Sequence, residues 1–292
     1  MTQTAERAAG MAALAERYDG LILDLWGVLH DGLHAYPEAL DALRHLKARG
    51  TRLVVLSNAP RPATSIAAKM ADLGITPDLY DHLMSSGEEA HRHLATRPCP
   101  WYQRLGRRLY HLGPPHDAVM REGIDAEVVD RVAEADFVLN TGPAVGATTL
   151  DAVEPDLHAA AARGLPMICA NPDLVVQRGA LHELCAGAVA RRYEDLGGAV
   201  VYHGKPYPRI YETCFALLGE GARARIAAVG DSLRTDVAGA QAVGIDSIFV
   251  TSGIHMEALR VRHGAPAHPE ALAELFAHEG RSPTAVIPAF RW

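Results

Sequence analysis

Short apolar runs alternate with helical patterns along most of this chain of 292 residues. The runs end in polar or small residues, which is typical of buried strands that deliver side chains to a sheet edge. Helical spacing of apolar residues, closed by a glycine, fills gaps such as 38–49, 62–73, 208–218 and 235–243. This alternation predicts an α/β fold with a doubly wound parallel sheet. Its strands are expected at Leu21–Leu23, Leu53–Leu56, Val200–Tyr202, Ile226–Val229 and Ser247–Val250.

The interval 86–184 repeats the alternation but carries few of the strand-end acids found outside it. Its strand-like runs are Leu109–Leu112, Phe137–Leu139 and Met167–Cys169. We interpret the interval as a second α/β domain inserted into the first, so that residues 1–85 and 185–292 form the core domain. The last segment, Pro283–Trp292, is apolar and is predicted to pack on the core as an extended strand or strap.

Candidate functional residues follow the strands predicted for the core. One aspartate after a strand is most often a helix N-cap, but the carboxyl ends of adjacent strands bring their side chains into one crevice. Carboxylates that face one another repel, and a magnesium ion would relieve that repulsion. A lysine with hydroxyl and amide donors would complete a site for phosphoryl transfer, for which a carboxylate nucleophile is a recognised route. The residues are Asp24, Ser57, Asn58, Lys205, Asp231 and Asp236.

Four motifs occur in a fixed order: D-x-x-G-V-L from Asp24, S-N at Ser57, G-K-P around Lys205, and G-D-x-x-x-T-D around Asp231. In this order they resemble the haloacid dehalogenase-like (HAD) superfamily. The closest resemblance is to class IIA, the branch of 4-nitrophenyl phosphatase-like and phosphoglycolate phosphatase-like proteins. That class has a Rossmann-like core and an α/β cap between the second and third motifs, where the insertion is predicted. The segment 170–173, A-N-P-D, is also similar to a part of that cap.

The resemblance implies a role for each matching position. Asp24 would be the nucleophile and a magnesium ligand, and Lys205 would stabilise it together with the transferring phosphoryl group. The remaining metal ligands would be Asp231, Asp236 and the main-chain carbonyl of Trp26. The phosphate and the rest of the substrate would be held by Ser57, Asn58, Asn171 and Asp173.

Trp26 departs from the family pattern, in which the residue two places after the nucleophile is an aspartate that acts as general acid and base. Such help contributes about 10²–10⁴-fold to the rate, and an indole N–H cannot supply it. The first interpretation is a slow phosphatase, or one that prefers leaving groups such as acyl phosphates. His30 or Asp31 could supply the acid instead. The second is a catalytically impaired protein that binds a phosphorylated ligand for sensing or regulation, and the third is different chemistry at the same site. Chloride displacement is disfavoured, because those enzymes need neither a metal nor Asp231 and Asp236.

The side chain of Trp26 has two open interpretations of its own. It is either a hydrophobic wall that packs under the turn or against the cap, or a surface that stacks on an aromatic or heterocyclic substrate.

Composition narrows the class of protein further. The formal net charge of −7 disfavours a nucleic-acid partner, and no apolar run approaches the length of a membrane span. The four cysteines form no C-x-x-C pair, and the N-terminus lacks an apolar signal core, so we expect a cytoplasmic protein. The expected partner is a small phosphorylated metabolite, and analogy with the class adds a homodimer through the cap.

Overall fold

The computed structural model describes residues 5–178, 181–219, 221 and 223–292. Its strands in chain order are β1 Glu6–Arg7, β2 Gly20–Leu23, β3 Arg52–Ser57, β4 His82–Ser85, β5 Arg108–Leu112, β6 Glu127–Val129, β7 Phe137–Asn140, β8 Met167–Cys169, β9 Val175–Arg178, β10 Leu181–Leu184, β11 Val200–Tyr202, β12 Ile226–Gly230, β13 Asp246–Val250 and β14 Ala285–Ile287. Its α-helices are α1 Pro37–Ala48, α2 Ala63–Asp72, α3 Ser86–Thr96, α4 Pro100–Gln103, α5 Glu154–Ala162, α6 Ala186–Asp195, α7 Pro208–Leu218, α8 Ala238–Val243, α9 Met256–Leu259 and α10 Pro269–Glu279.

The chain divides into two compact units. Unit 1 holds the residues up to Ser57 together with Ala67–Met84 and Lys205–Trp292, and unit 2 holds Asn58–Ile66 and Ser85–Gly204. The interval 86–184, predicted as an insertion, lies within unit 2, which continues beyond it through α6 and β11. No helix among the described residues combines the length and apolar character needed to cross a membrane.

Unit 1 is built on a seven-stranded sheet in the order β1-β14-β13-β12-β2-β3-β4. Strand β2 is buried along its whole length and pairs in parallel with β12 on one side and β3 on the other. The chain passes from β2 to β3 in one direction and returns at β12 on the opposite side. The edge between β2 and β12 is therefore a topological switch point, where ligands bind in open α/β sheets.

The C-terminal segment packs on this sheet as predicted. Strand β14 pairs in parallel with β13 and β1, and Phe290 beyond it is buried. The pattern 235–243 begins differently from the prediction, because a π-helix over Leu233–Val237 precedes α8. Ser232 caps this turn by accepting the backbone N–H of Thr235 at 3.3 Å.

Unit 2 has its own parallel sheet in the order β11-β8-β7-β5-β6, with an antiparallel hairpin of β9 and β10. Alternate residues of its central strands enter different apolar clusters: Val138 and Met167 belong to one, and Phe137 and Ile168 to another. Both faces of the sheet are thus covered, as a doubly wound parallel sheet requires.

The sheet assignment of Val200–Tyr202 corrects the sequence-based prediction. This run was expected among the strands of the core sheet, but it forms β11 and pairs with β8, with Val200 opposite Met167 and Tyr202 opposite Cys169. Its three residues are only half-buried, as befits an edge strand. A three-residue apolar run contains nothing that specifies which of two parallel sheets it joins. Lys205 therefore does not follow a strand of the core sheet.

Candidate active site

Asp24 lies directly after β2, at the carboxyl end of the buried centre of the unit 1 sheet. Its backbone N–H donates to the carbonyl of Val229 in β12 at 2.8 Å, which continues the pairing of the two strands. Asp231 follows β12, so the switch point brings both carboxylates to one edge. Asp236 joins them from the π-helix, a backbone form found at many functional sites. One carboxylate oxygen from each of the three residues lies within 4.8 Å of the other two, and all three residues are buried.

Glycines allow the main chain to approach these acids closely. A Cβ on Gly27, whose φ is +81°, would overlap Asp231 Oδ2, and a Cβ on Gly230 would overlap the carboxylate of Asp236. Any larger residue at either position would displace an acid of the cluster. Gly27 in the turn after β2 and Gly230 at the end of β12 are therefore part of the site's geometry.

Lys205 bridges two of the acids. Its Nζ donates to Asp24 Oδ1 and, at 2.7 Å, to Asp236 Oδ1. The residue is 3% exposed, and burial alone would lower the pKa of its ammonium group. The charges of Asp236 and Asp24 outweigh this effect and hold the pKa of Lys205 well above its ordinary value. The lysine is therefore a permanent cation.

The third acid, Asp231, sits in a different environment. Burial and the neighbouring charges of Asp24 and Asp236 raise the pKa of Asp231 well above its ordinary value. One backbone donor, the N–H of Ile254 at 2.7 Å, opposes this increase. A raised pKa means that the ionised cluster lacks positive charge.

The cluster fits a divalent cation. Three carboxylates against one ammonium group leave a formal charge of two negative units in a buried space, which is the charge that Mg²⁺ or Ca²⁺ balances. Carboxylate oxygens are also the ligands that these hard cations prefer.

Trp26 is half-buried and packs against its own turn. The indole meets the His30 ring edge to face, with centroids 5.2 Å apart and an interplanar angle of 72°. The indole also packs on Gly32, so closely that a Cβ at that position would overlap the ring. These contacts give the side chain a structural role as a wall of the turn.

The two neighbours considered as alternative acids are both occupied. His30 accepts the backbone N–H of Gly32 on Nδ1 at 2.8 Å, and burial lowers the pKa of His30 to about 4. Asp31 accepts the N–H groups of Leu33 and His34 at 2.8 and 2.7 Å. Burial acts in the opposite direction, but these bonds keep the pKa of Asp31 below its ordinary value. At neutral pH the histidine is uncharged and the aspartate is ionised.

The remaining predicted binding residues fall into two groups. Ser57 is buried at the end of β3, next to β2 in the unit 1 sheet. Within unit 2, Asn58 Nδ2 donates to Asp173 Oδ1 at 2.8 Å, and the N–H of Asp173 donates to Asn171 Oδ1 at 2.9 Å. The structure thus joins Asn58, Asn171 and Asp173 to one another, and their contact with a substrate stays a prediction.

Backbone donors are the part of the site that sequence reasoning missed. Ile254 N–H binds Asp231, and Ser232 N–H binds Asp236 Oδ2 at 3.2 Å. Gly253 also lies against Asp231, since a Cβ there would overlap the carboxylate. The available signal was the small-residue segment 251–253, T-S-G, which the sequence places at the end of a predicted strand but which contains no acid or base.

Comparisons with known proteins identify the family of the chain. A model of the haloacid dehalogenase-like hydrolases matches residues 21–126, and a HAD-hydrolase-like model matches residues 202–278. A solved haloacid dehalogenase-like hydrolase from Brucella suis 1330 is 31% identical, with a TM-score of 0.82 over 97% of this chain and 99% of that chain.

Two curated relatives are more distant in sequence. The D-glycerol 3-phosphate phosphatase of Mycobacterium tuberculosis is 29% identical over 84% of this chain, and this chain spans 66% of that protein's length. The ribonucleotide monophosphatase NagD of Escherichia coli is 29% identical over 80% of this chain and 88% of its own. The chain therefore belongs to the haloacid dehalogenase-like hydrolases, in the class IIA branch whose motif order it carries.

Proposed function

We propose that this hydrolase is a magnesium-dependent phosphatase that acts on a small phosphorylated metabolite through an aspartyl-phosphate on Asp24. The observation that carries the proposal is the buried cluster of Asp24, Asp231 and Asp236, with Lys205 bridging two of its members. Carboxylates and a lysine held in place before substrate arrives supply the positioning and charge that phosphoryl transfer needs.

The reaction has two steps. In the first, a carboxylate oxygen of Asp24 attacks phosphorus, and the bond from phosphorus to the leaving oxygen breaks. In the second, water attacks the same phosphorus and releases a proton to solvent, the bond to Asp24 breaks, and phosphate leaves with the carboxylate restored. Lys205 holds Asp24 in the attacking position and balances the negative charge of the phosphoryl group. The hydroxyl of Ser57 and the amide of Asn58 are the proposed donors to the phosphoryl oxygens.

The metal would be held by Asp24, Asp231, Asp236 and the main-chain carbonyl of Trp26. When bound there, Mg²⁺ would neutralise charge on the phosphoryl oxygens. Burial and repulsion from Asp24 and Asp236 raise the pKa of Asp231, and this repulsion is the property that makes the cluster suitable for a cation.

Trp26 determines which substrates turn over quickly. Since the indole does not titrate, His30 is neutral and Asp31 is ionised, the leaving oxygen takes its proton from solvent water. Acyl and aryl phosphates need little protonation as they leave, whereas alkyl phosphates need it most. We therefore propose that the rate of the first step, transfer of the phosphoryl group to Asp24, depends steeply on the leaving group.

The substrate class rests on the relatives. Their names include a glycerol 3-phosphate phosphatase and a ribonucleotide monophosphatase, so sugar, polyol and nucleotide phosphates are the first compounds to test. A cytoplasmic location and a homodimer remain predictions from the sequence.

The same observations at Trp26 favour a second candidate: a protein that binds metal and a phosphorylated ligand with little or no turnover. The two functions differ in one experiment, the release of phosphate from acetyl phosphate, 4-nitrophenyl phosphate, glycerol 3-phosphate and AMP with Mg²⁺. The phosphatase predicts release that disappears in Asp24→Asn and persists in Asp19→Asn, a control on the exposed pair with Arg225. Equal rates for the wild type and Asp24→Asn would exclude the enzyme. Beryllium fluoride that still stabilises the wild type in a magnesium-dependent manner would then support the binding protein.

A further inference from the structure

Unit 2 has a strand order with a switch point of its own. Its five parallel strands have the spatial order β6-β5-β7-β8-β11. The second strand in sequence, β6, is therefore at the edge of the sheet, and the first, β5, lies between β6 and β7. The chain leaves β5 toward β6 on one side, and it leaves β7 toward β8 on the other. The loops after β5 and β7 therefore diverge, and the crevice between such loops is the usual ligand position in a sheet of this order.

A cleft of about 390 Å³ occupies this position. Gly113 and Pro114 line it from the loop after β5, Gly142 and Pro143 from the loop after β7, and Asp156 from α5. The volume lies within the range of about 300–1,000 Å³ that is typical of small-molecule sites.

Hydrogen bonds of buried groups fix the shape of the cleft. Asn140 is fully buried, donates to the carbonyl of Ala186 at 2.8 Å and accepts the N–H of Gly142 at 3.1 Å. The N–H of Thr141 donates to the carbonyl of Leu112 at 2.9 Å, which ties the two loops together. Gly142 has φ of +130°, a conformation that favours glycine. Because these hydrogen bonds already fix the loops around the cleft, binding a ligand there costs little conformational entropy.

The chemistry of the lining favours a flat, uncharged or cationic ring. Asp156 contributes a carboxylate, which accepts the Tyr110 hydroxyl at 2.5 Å. His111 lies 2.9 Å from Thr141 Oγ1, and burial lowers the pKa of His111 to about 4, so its ring is neutral. Prolines and the exposed Val145 at the rim add apolar surface. Rings and prolines offer faces for stacking, and the carboxylate offers an acceptor for an N–H at the edge of a ligand.

We propose that unit 2 contains a second small-molecule site at this switch point, which binds a neutral or cationic heteroaromatic ring with an N–H donor on its edge. Residues of unit 2 alone line the cleft, so binding there does not depend on the acid cluster. Only the assignment of the ring to a substrate rests on the proposed phosphatase function. A purine that carries an exocyclic amine has the required chemistry. Such a ring arrives either as part of a phosphorylated substrate or as a separate effector.

The test is calorimetric titration of the full chain with adenosine, which has no phosphate to hydrolyse. Saturable binding is expected, and Asp156→Asn should weaken it about tenfold because a charged hydrogen-bond acceptor is lost. Ala144→Trp, at an exposed position in the lining, should abolish it by filling the cleft. Asp151→Asn, at an exposed position outside the lining, is the matched control and should leave the affinity unchanged.

Two further arms identify the source of the ring. If it belongs to the substrate, adenosine inhibits AMP hydrolysis competitively, and Ala144→Trp raises the KM for AMP without changing that for acetyl phosphate. If it is an effector, adenosine changes the hydrolysis of acetyl phosphate without competing with it. Absence of saturable binding, or binding that both Asp156→Asn and Ala144→Trp leave intact, would overturn the proposal. Because the titration measures no catalysis, it distinguishes this failure from failure of the phosphatase.

Discussion

The indole of Trp26 packs so closely on Gly32 that a Cβ at this position would lie 2.4 Å from Cη2 of the ring. This contact and the edge-to-face contact with His30 fix the tryptophan two residues after the proposed nucleophile. The turn therefore places an apolar, non-titrating group where the family has an aspartate.

We predict that Gly32→Ala destabilises the protein by more than its backbone strain alone. Gly50→Ala is the matched control. Gly50 has a similar backbone conformation, with φ of +79° against +91° for Gly32, but an added Cβ at Gly50 would have no atom within 4 Å. The control should cost about 1 kcal/mol, and Gly32→Ala about 1–3 kcal/mol more because the methyl displaces the indole. Urea unfolding measures both free energies, and equal losses would show that the contact with Trp26 is unimportant.

Trp26→Asp should accelerate the hydrolysis of alkyl phosphates. A carboxyl group at this position supplies the missing proton transfer, which contributes about 10²–10⁴-fold when it is well placed. The gain in the first step should be large for glycerol 3-phosphate and small for acetyl phosphate, whose leaving group needs little protonation, whereas the gain in the second step, in which the carboxylate accepts a proton from water, should be the same for both. Trp26→Asn, which opens the same space without an acid, is the control, and an equal gain in that variant would assign the effect to space alone.

Lys205→Met should destabilise the protein strongly in the absence of metal. The substitution leaves Asp24 and Asp236 buried without their common cation, a loss of about 3–5 kcal/mol for such sites. Lys47→Met removes a lysine from a half-exposed pair with Asp81 and should cost only about 0–1 kcal/mol. Thermal unfolding with a chelator compares the two, and similar losses would mean that the buried bridge does not hold the cluster together.

The half-buried His111 predicts a dependence of stability on pH. Its pKa falls from 6.5 to about 4 on folding, so the unfolded chain binds a proton first as the pH decreases. The stabilisation is complete above pH 6.5 and is lost progressively toward pH 4, by roughly 3 kcal/mol over that window. In His111→Gln the free energy of unfolding should fall less over the same range. Parallel pH profiles for the two proteins would contradict the assignment.

The core of the site was accessible from sequence because its residues follow strands in a fixed order. Asp24 and Asp231 each come directly after a buried apolar run, and the parallel pairing of β2 with β12 then brings them together. The sequence could not predict which sheet Val200–Tyr202 joins, because these three apolar residues fit either parallel sheet. Backbone donors such as the N–H of Ile254 have no sequence signature at all, since any residue except proline supplies one.

The cleft of unit 2 shows the same limit. Residues such as Gly113 and Gly142 look like ordinary turn residues until the strand order places their loops side by side. Strand order is a long-range property that local patterns do not contain.

The most direct test of the central claim is to trap the covalent intermediate. The protein is mixed with acetyl phosphate and Mg²⁺, quenched in acid, digested and analysed by mass spectrometry. The account predicts a phosphorylated peptide that carries the modification on Asp24, absent with a chelator and absent in Asp24→Asn. Phosphate release by the wild type without any modification of Asp24, under conditions in which a known aspartyl-phosphate enzyme is trapped, would contradict it.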